Sequence, residues 1–443
     1  MQAVNVLEEG VLLDYNHRRS VAEAERAVLV GVETGATHGI ATADSLAELS
    51  ALAQSAGVAV TGQIQQKLRA VDPRTFIGRG KTADVREMAH QQAATLVIFD
   101  DALSPVQARN LEQELGMRVV DRSQLILDIF AQRARSLEGK LQVEIAQLSY
   151  LQPRLTRQWA HLSRQTGGNG AAGGRIGTRG PGETQLEVDR RRLRERLTRL
   201  RARLHQVERT RSLQRQRRLE VPWPTIALVG YTNSGKSTLM NALTEAGVEA
   251  AARPFSTLDP TIRRLKLPGR VQVMLADTVG FIHRLPHLLV EAFKATLEEV
   301  RVADLLLHVV DASSPLADER IAVVDRILDE IGAGNTPRLM VLNKIDLIEH
   351  ARCGVAHAFD TIEVSALRRA GLEHLLTAIA RSFSGLREEI AVKLPVIRGD
   401  LIAMARRDGE ILSEEYANGV VSMRALVSVA VAGRLRKAAL GIA

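Results

Sequence analysis

The sequence predicts an α/β multidomain protein. It combines an N-terminal α/β unit, a long antiparallel helical hairpin, a second α/β domain with a mostly parallel sheet, and a small C-terminal α+β domain. Three observations lead there. Short apolar runs alternate with helix-like stretches from Arg26 to Arg135 and again from Thr225 to about Phe383, the pattern of strands and crossover helices. A leucine seam of helical period lies between them. A glycine-framed loop with phosphate-loop spacing follows the first strand of the second region. The expected domains are 1–135, 136–220 with a glycine-rich tip loop at 167–182, 221–385, and 386–443.

In the first region Ala27–Val32 and Thr95–Phe99 read as buried strands, with Ser45–Ala56, Thr82–Gln92 and Ser104–Leu115 as helices. Gly78-Arg79-Gly80-Lys81 invites comparison with a phosphate loop but lacks the spacing, so a tight turn before a helix is the preferred reading.

Leu141, Ile145, Leu148, Leu155, Trp159 and Leu162 then fall on a 4-3 spacing, interrupted at Gln152. Leu193, Leu197, Leu200, Leu204 and Val207 continue the seam beyond a loop. Two such helices joined by one loop can fold back on each other. Pro153 is expected to kink or divide the first, because it removes a backbone donor. The second, from Glu183 and behind a capping box at Thr184-Gln185-Leu186-Glu187, would be roughly 50 Å long. Arginines crowd it, among them Arg191, Arg194 and Arg201. That density favours contact with nucleic-acid phosphate over a solvated coiled-coil face. The glycine-rich tip carries Arg175 and Arg179. It reads either as a plain flexible loop or as a tip whose backbone and arginines approach RNA closely.

After Pro222-Trp223-Pro224, the apolar run Ile226–Val229 leads into Gly230-Tyr231-Thr232-Asn233-Ser234-Gly235-Lys236-Ser237 and then Thr238. Backbone N–H groups of such a loop turn onto phosphates at a helix N-terminus. Lys236 is expected to reach the β- and γ-phosphates, and Ser237 to bind Mg2+. Phe255-Ser256-Thr257-Leu258-Asp259 sits where a first switch belongs, with Thr257 completing the Mg2+ shell when the γ-phosphate is present. Asp277-Thr278-Val279-Gly280 ends an apolar strand, placing a carboxylate in the outer Mg2+ shell and the Gly280 N–H toward the γ-phosphate. Asn343-Lys344-Ile345-Asp346 ends another, and Ser365-Ala366-Leu367 follows a third. An aspartate there accepts two hydrogen bonds that guanine supplies and adenine does not. In this order the motifs predict a GTPase. Phe281 stands where a glutamine would orient water, so that task falls to another group or a partner. Asn233 leaves two readings open, a ligand for a potassium ion beside the phosphates or a cap on its own turn.

The composition is that of an ordinary globular protein: 443 residues, 45% apolar and 25% charged. The net charge of +8 favours an anionic partner. The lone Cys353 excludes an intrachain disulfide and any multi-cysteine metal site. No apolar run is long enough to cross a membrane, and Met1–Asp14 lacks the regions of a signal peptide, so a cytoplasmic protein without membrane insertion is expected.

Gly173-Gly174-Arg175 through Gly180-Pro181-Gly182-Glu183-Thr184-Gln185-Leu186-Glu187, upstream of this P-loop, resembles the HflX family of GTPases. Phe255–Pro260, Asp277–Phe281, Val120–Ser123, Leu127–Ala134, Gln142–Leu148 and Pro153–Leu155 match it as well. The resemblance spans about Arg26–Phe383. It implies a GTP-hydrolysing factor that binds the large ribosomal subunit, ribosomal RNA and the ribosome, and splits stalled or idle ribosomes under stress. It also implies that the hairpin loop enters the peptidyl transferase region and that the ribosome stimulates hydrolysis. Ser237 and Thr257 become Mg2+ ligands by position, and Asn343, Lys344 and Asp346 the guanine site. A hydrophobic residue at Phe281 is the family's own pattern. A monomer is expected. The alternatives are a GTP-switched assembly or RNA-modification factor acting on free RNA, and a nucleotide-regulated scaffold whose arm binds protein.

Overall fold

A computed structural model of the chain describes residues 25–34, 41–165, 181–219, 223–244, 254–255, 257, 260–283, 294–348, 361–383 and 387–439. The chain divides into two compact units, Met1–Ile126 and Leu127–Ala443.

In the first unit the strands are β1 (Arg26–Thr34), β2 (Ala59–Leu68), β3 (Leu96–Phe99) and β4 (Arg118–Asp121), all parallel in the order β2-β1-β3-β4. Helices α1 (Thr42–Ser55), α2 (Arg79–Gln91) and α3 (Pro105–Leu115) alternate with them. The central strands β1 and β3 are the two legible in advance, because parallel strands covered on both faces read as continuous apolar runs. The edge strand β2 carries polar residues between apolar ones, and β4 is only four residues long; both escape the sequence reading. A reciprocal capping box between Ser104 and Gln107 starts α3, and Gly116 with φ 70° ends it. The stretch at Gly78–Lys81 is the start of α2, where Lys81 pairs with Asp84 at 2.8 Å.

Helix α4 (Arg122–Arg133) crosses the division between the units. At its start Arg122, 2% exposed, holds Asp100 at 2.6 Å and Glu48 at 2.5 Å. Removing Arg122 would leave two carboxylates facing each other without their cation.

The second unit opens with α5 (Leu137–Gln165) and α6 (Pro181–Leu219). Leu141, Leu148, Leu197 and Leu200 form a buried seam between them, flanked by Ile145, Leu193, Leu204 and Val207. The seam positions Leu155, Trp159 and Leu162 lie outside the described side chains. Two local expectations are corrected. Pro153 does not divide α5, which runs through it; the Arg154 guanidinium stacks 3.5 Å from the Tyr150 ring and donates to the Tyr150 carbonyl at 3.2 Å, knitting that turn. Thr184 is not the cap of α6, because the helix begins at Pro181, whose fixed φ and missing N–H suit a first turn.

The second sheet runs β10-β9-β8-β5-β7-β6 and is parallel except for β6 against β7. Its strands are β5 (Thr225–Val229), β6 (Thr261–Lys266), β7 (Gln272–Asp277), β8 (Leu305–Asp311), β9 (Arg338–Asn343) and β10 (Thr361–Glu363). Helices α7 (Lys236–Thr244), α8 (Lys294–Arg301), α9 (Ala317–Glu330) and α10 (Leu372–Ser382) lie between or after them. Alternate residues of β5, β7, β8 and β9 bury Leu228, Leu275, Leu307 and Val341 against Leu239, Leu375 and Ile379. Strand β5 sits between β7 and β8, so the strand order reverses beside it. The crevice at such a reversal is where open α/β sheets bind ligands.

The last elements are β11 (Arg387–Pro395), α11 (Gly399–Asp408), β12 (Glu410–Ala417), β13 (Val420–Ser428) and α12 (Val429–Ala439), around an antiparallel sheet β11-β13-β12. Helix α12 was not anticipated: its apolar start runs on from β13 without a turn signal.

Candidate nucleotide site

The carboxyl ends of four neighbouring strands deliver the chemistry. Gly230 follows β5, while Asp277, Asp311 and Asn343 are the last residues of β7, β8 and β9. The loop after β5 closes because two glycines permit it. Gly230 has φ 150° and a Cβ there would lie 2.2 Å from the Val309 carbonyl oxygen. Gly235 has φ 94°, and its Cβ would meet the Asn343 amide nitrogen at 2.2 Å. No other residue fits either place.

Lys236 is buried within the loop and donates to the carbonyls of Gly230 at 3.0 Å and Tyr231 at 2.8 Å. Burial pulls its ammonium down to about 8, with Asp277 acting the other way. Ser237 and Thr257 meet hydroxyl to hydroxyl at 2.7 Å. Both also donate to Asp277 Oδ2, at 2.7 Å and 3.0 Å. Antiparallel pairing of Thr261 with Asp277 brings the chain carrying Thr257 to this carboxylate. Burial pushes the Asp277 carboxyl above its ordinary range against these bonds. Its Oδ1 has no hydrogen-bond partner among the described residues. Thr238 follows on the first turn of α7, and Thr278 donates to the Leu228 carbonyl at 2.6 Å.

Asn343 has both ends of its amide engaged: Nδ2 donates to the Ser234 carbonyl at 2.9 Å and Oδ1 accepts from Ala366 N–H at 3.0 Å. It thereby ties the phosphate loop to the Ser365–Leu367 loop. Lys344, at φ 66°, is held to Asp311 at 2.7 Å. Ser365 donates to Asp346 Oδ1 at 2.6 Å, leaving the carboxylate fixed within a one-turn helix, Ile345–Leu347. Leu367 is 78% exposed beside it. Val279 and Gly280 lie at the loop, where Gly280 is so close to Lys236 that a Cβ would stand 3.0 Å from Nζ.

Phe281 is 2% exposed and stitched to the phosphate loop through its backbone, accepting from Thr232 N–H at 2.7 Å and donating to the Gly230 carbonyl at 3.1 Å. The Tyr231 hydroxyl accepts from His283 N–H at 2.8 Å beside it. Asn233 is exposed at φ 61°, and its side chain makes no hydrogen bond among the described residues, so it does not cap its own turn there. Behind the loop His308 is 1% exposed, and burial, Arg338 and Lys236 together pull its imidazole down to about 3.

On α6, Arg191, Arg194 and Arg201 are all exposed. Arg191 pairs with Glu195 at 3.7 Å. Arg190, Arg192, Arg194, Arg201 and Arg203 have no ion pair among the described residues. Arg175, Arg179, Ser256, Leu258 and Asp259 lie outside the described residues. Sequence reading missed Asp311, although its position at the end of an apolar strand repeats that of Asp277 and Asn343. The Tyr231–His283 contact had no sequence signal.

A phosphate loop at a strand-order reversal, with a fixed carboxylate on the base side, makes this sheet a P-loop GTPase domain. Models of protein families match along the chain: a GTP-binding GTPase N-terminal domain at 43–131, a GTP-binding GTPase middle region at 133–218, and a 50S ribosome-binding GTPase domain at 225–344. A GTPase HflX from Caldanaerobacter subterraneus is 46% identical, covering 94% of this chain and 94% of the relative. Another from Escherichia coli is 48% identical over 81% of this chain and 83% of its own length. A solved GTP-binding protein from Sulfolobus solfataricus, in complex with GDP, is 26% identical, covers 82% of this chain and 99% of that one, and superposes with a TM-score of 0.42. The chain belongs to the HflX family and hydrolyses GTP. No helix among the described residues is long and apolar enough to cross a membrane.

Proposed function

We propose that this chain is a cytoplasmic factor that binds the large ribosomal subunit and the ribosome through its arginine-rich helix and couples GTP hydrolysis to ribosome dissociation or rescue under stress. The observation that carries the ribosome reading is the set of exposed arginines on α6 that no acid neutralises among the described residues. Cations left without partners on a long helix, Arg194 and Arg201 among them, suit a polyanion such as ribosomal RNA as phosphate contacts, joined by Arg191 once it exchanges its 3.7 Å pair with Glu195 for a phosphate. Arg175 and Arg179 extend the same role to the tip loop.

At the nucleotide, Lys236 exchanges the Gly230 and Tyr231 carbonyls for the β- and γ-phosphates. Asp346, held by Ser365, accepts from the guanine edge, and Lys344, held by Asp311, covers the base. The hydroxyls of Ser237 and Thr257 and the unpartnered Asp277 oxygen form an all-oxygen set that suits Mg2+. Ser237 and Thr257 are its ligands, and Asp277 belongs to the outer shell. The ion, when bound, neutralises charge on the phosphates. Phe281, buried and bonded only through its backbone, orients no water, so turnover of the free protein is slow. The free amide of Asn233 suits a potassium ion at the phosphates.

The test is GTP turnover with and without purified large ribosomal subunits, in potassium and in sodium. Strong stimulation supports ribosome coupling, and loss of turnover in sodium supports the cation role of Asn233. Absence of stimulation in both buffers would favour action on free RNA or a scaffold role.

A further inference from the structure

Phe255 and Arg264, which precede and follow Thr257 in the chain, are each contacted from outside the nucleotide site. Phe255, two positions before it, is 2% exposed and has φ 57°. A bulky side chain seldom occupies that left-handed region unless surrounding structure holds it there. The ring that holds it belongs to Phe130 on the last turns of α4, which is fully buried and packs edge-on with centroids 4.5 Å apart. Phe130 lies just ahead of α5, at one root of the helical arm. The chain beyond Thr257 is met from the other root. Trp223, between α6 and β5, lies 4.7 Å from the guanidinium of Arg264 on β6. The stretch carrying Thr257 is thus bounded by two aromatic contacts, one from each end of the arm.

We propose that Phe130 is a positioning residue for GTP hydrolysis. It holds Phe255 in its strained conformation and so places the Thr257 hydroxyl on Ser237 and Asp277. A shift at the root of the arm then alters the state of Thr257, and GTP in the site favours one placement of the arm root. This deepens the function proposed above and rests on its assignment of Thr257 as the residue that senses the γ-phosphate. A contact that is stronger with GTP in the site than with GDP raises GTP affinity and turnover while leaving GDP affinity nearly unchanged.

The experiment uses the full chain without ribosomes. Affinities for GDP and a non-hydrolysable GTP analogue, with kcat and KM for GTP, are measured for Thr257→Ala, Phe130→Ala, Phe130→Leu and the Phe130→Ala/Thr257→Ala pair. Phe130→Ala is expected to lower the preference for the GTP analogue over GDP about tenfold and to reduce kcat, with GDP affinity within twofold of the original. Phe130→Leu should recover part of that loss, and the double variant should be no worse than Thr257→Ala alone. Should the alanine variant fail to fold, Phe130→Leu decides through a second readout. In a Trp159→Phe background Trp223 is the sole tryptophan, and the leucine variant should shrink the difference in its emission between GDP and the GTP analogue. Unchanged nucleotide preference, kcat and emission difference in a folded Phe130 variant would overturn the proposal while Thr257→Ala still shows its effect. If Thr257→Ala itself leaves GTP preference intact, the reading of Thr257 fails instead, and this inference with it.

Discussion

The nucleotide site and the arginine-rich helix of the same chain are built on opposite terms. Around the phosphate loop the central side chains are already bonded to protein: Lys236 to two carbonyls, Asn343 to two loops, Asp346 to Ser365, Lys344 to Asp311. On α6 the arginines stand in solvent, and most make no ion pair among the described residues. The first arrangement is preorganised, so a ligand displaces contacts without reordering the site. The second is an electrostatic surface suited to an anionic partner. Substitutions in the pocket should therefore act through specific bonds and barely respond to salt, whereas substitutions on the arm should respond to salt above all.

The largest effect expected is at the base. On the proposed base contact, Asp346→Ala removes two charge-assisted hydrogen bonds at about 1.5–3 kcal/mol each, so GTP and GDP should bind roughly 10²–10⁴-fold more weakly. Titration with a fluorescent guanine nucleotide at low and high salt should give the same loss. A loss that vanishes at high salt would make the site electrostatic and erase the contrast.

The arm gives the opposite signature. Reversing Arg191, Arg194 and Arg201 to Glu should weaken binding to large ribosomal subunits by about tenfold to a hundredfold at low salt, and flatten the slope of log affinity against log salt by about three. Equal affinity and slope in the variant would remove the phosphate contacts.

His308 sharpens the pocket side through pH. Its folded pKa of about 3 lies below the ordinary 6.5, so the unfolded chain takes up the proton first as pH falls. Its contribution is complete above about pH 6.5 and is lost progressively toward pH 3. The corresponding slope reaches about 1.4 kcal/mol per pH unit. Denaturant unfolding of His308→Gln should show a shallower dependence on pH than the original chain across that window. Parallel curves would place His308 in solvent-like surroundings.

The smallest effect is at Asp311. Its pair with Lys344 is partly exposed, and Asp311→Asn should weaken guanine nucleotides only about threefold to tenfold, read from the same fluorescent titration. No change would mean that Lys344 reaches the base without help.

What the sequence disclosed follows the same division. Phosphate and guanine chemistry demands particular residue types at fixed spacing along short loops, so Gly230, Lys236, Ser237, Asp277 and Asp346 were legible one by one. Central strands β1, β3, β5, β7 and β9 were legible because burial on both faces leaves an apolar run. Edge strand β2, short β4 and antiparallel β6 carry no such mark. Contacts between distant segments were invisible for a different reason. Nothing in the sequence near Phe130 announces Phe255, and the stacking of Trp223 on Arg264 exists only once β6 has folded against β7. Pro153 shows the limit of a local rule: its cost to a helix is real, but packing along the leucine seam and the Arg154–Tyr150 contacts keep α5 continuous.

The most direct test of the contrast joins its two halves in one assay: steady-state GTP turnover by the full chain, with and without purified large ribosomal subunits, at low and at high salt. A preorganised pocket coupled to an electrostatic arm gives strong stimulation at low salt that fades as salt rises, while turnover of the free protein stays nearly constant. Identical turnover with and without subunits at low salt would contradict the coupling between arm and pocket.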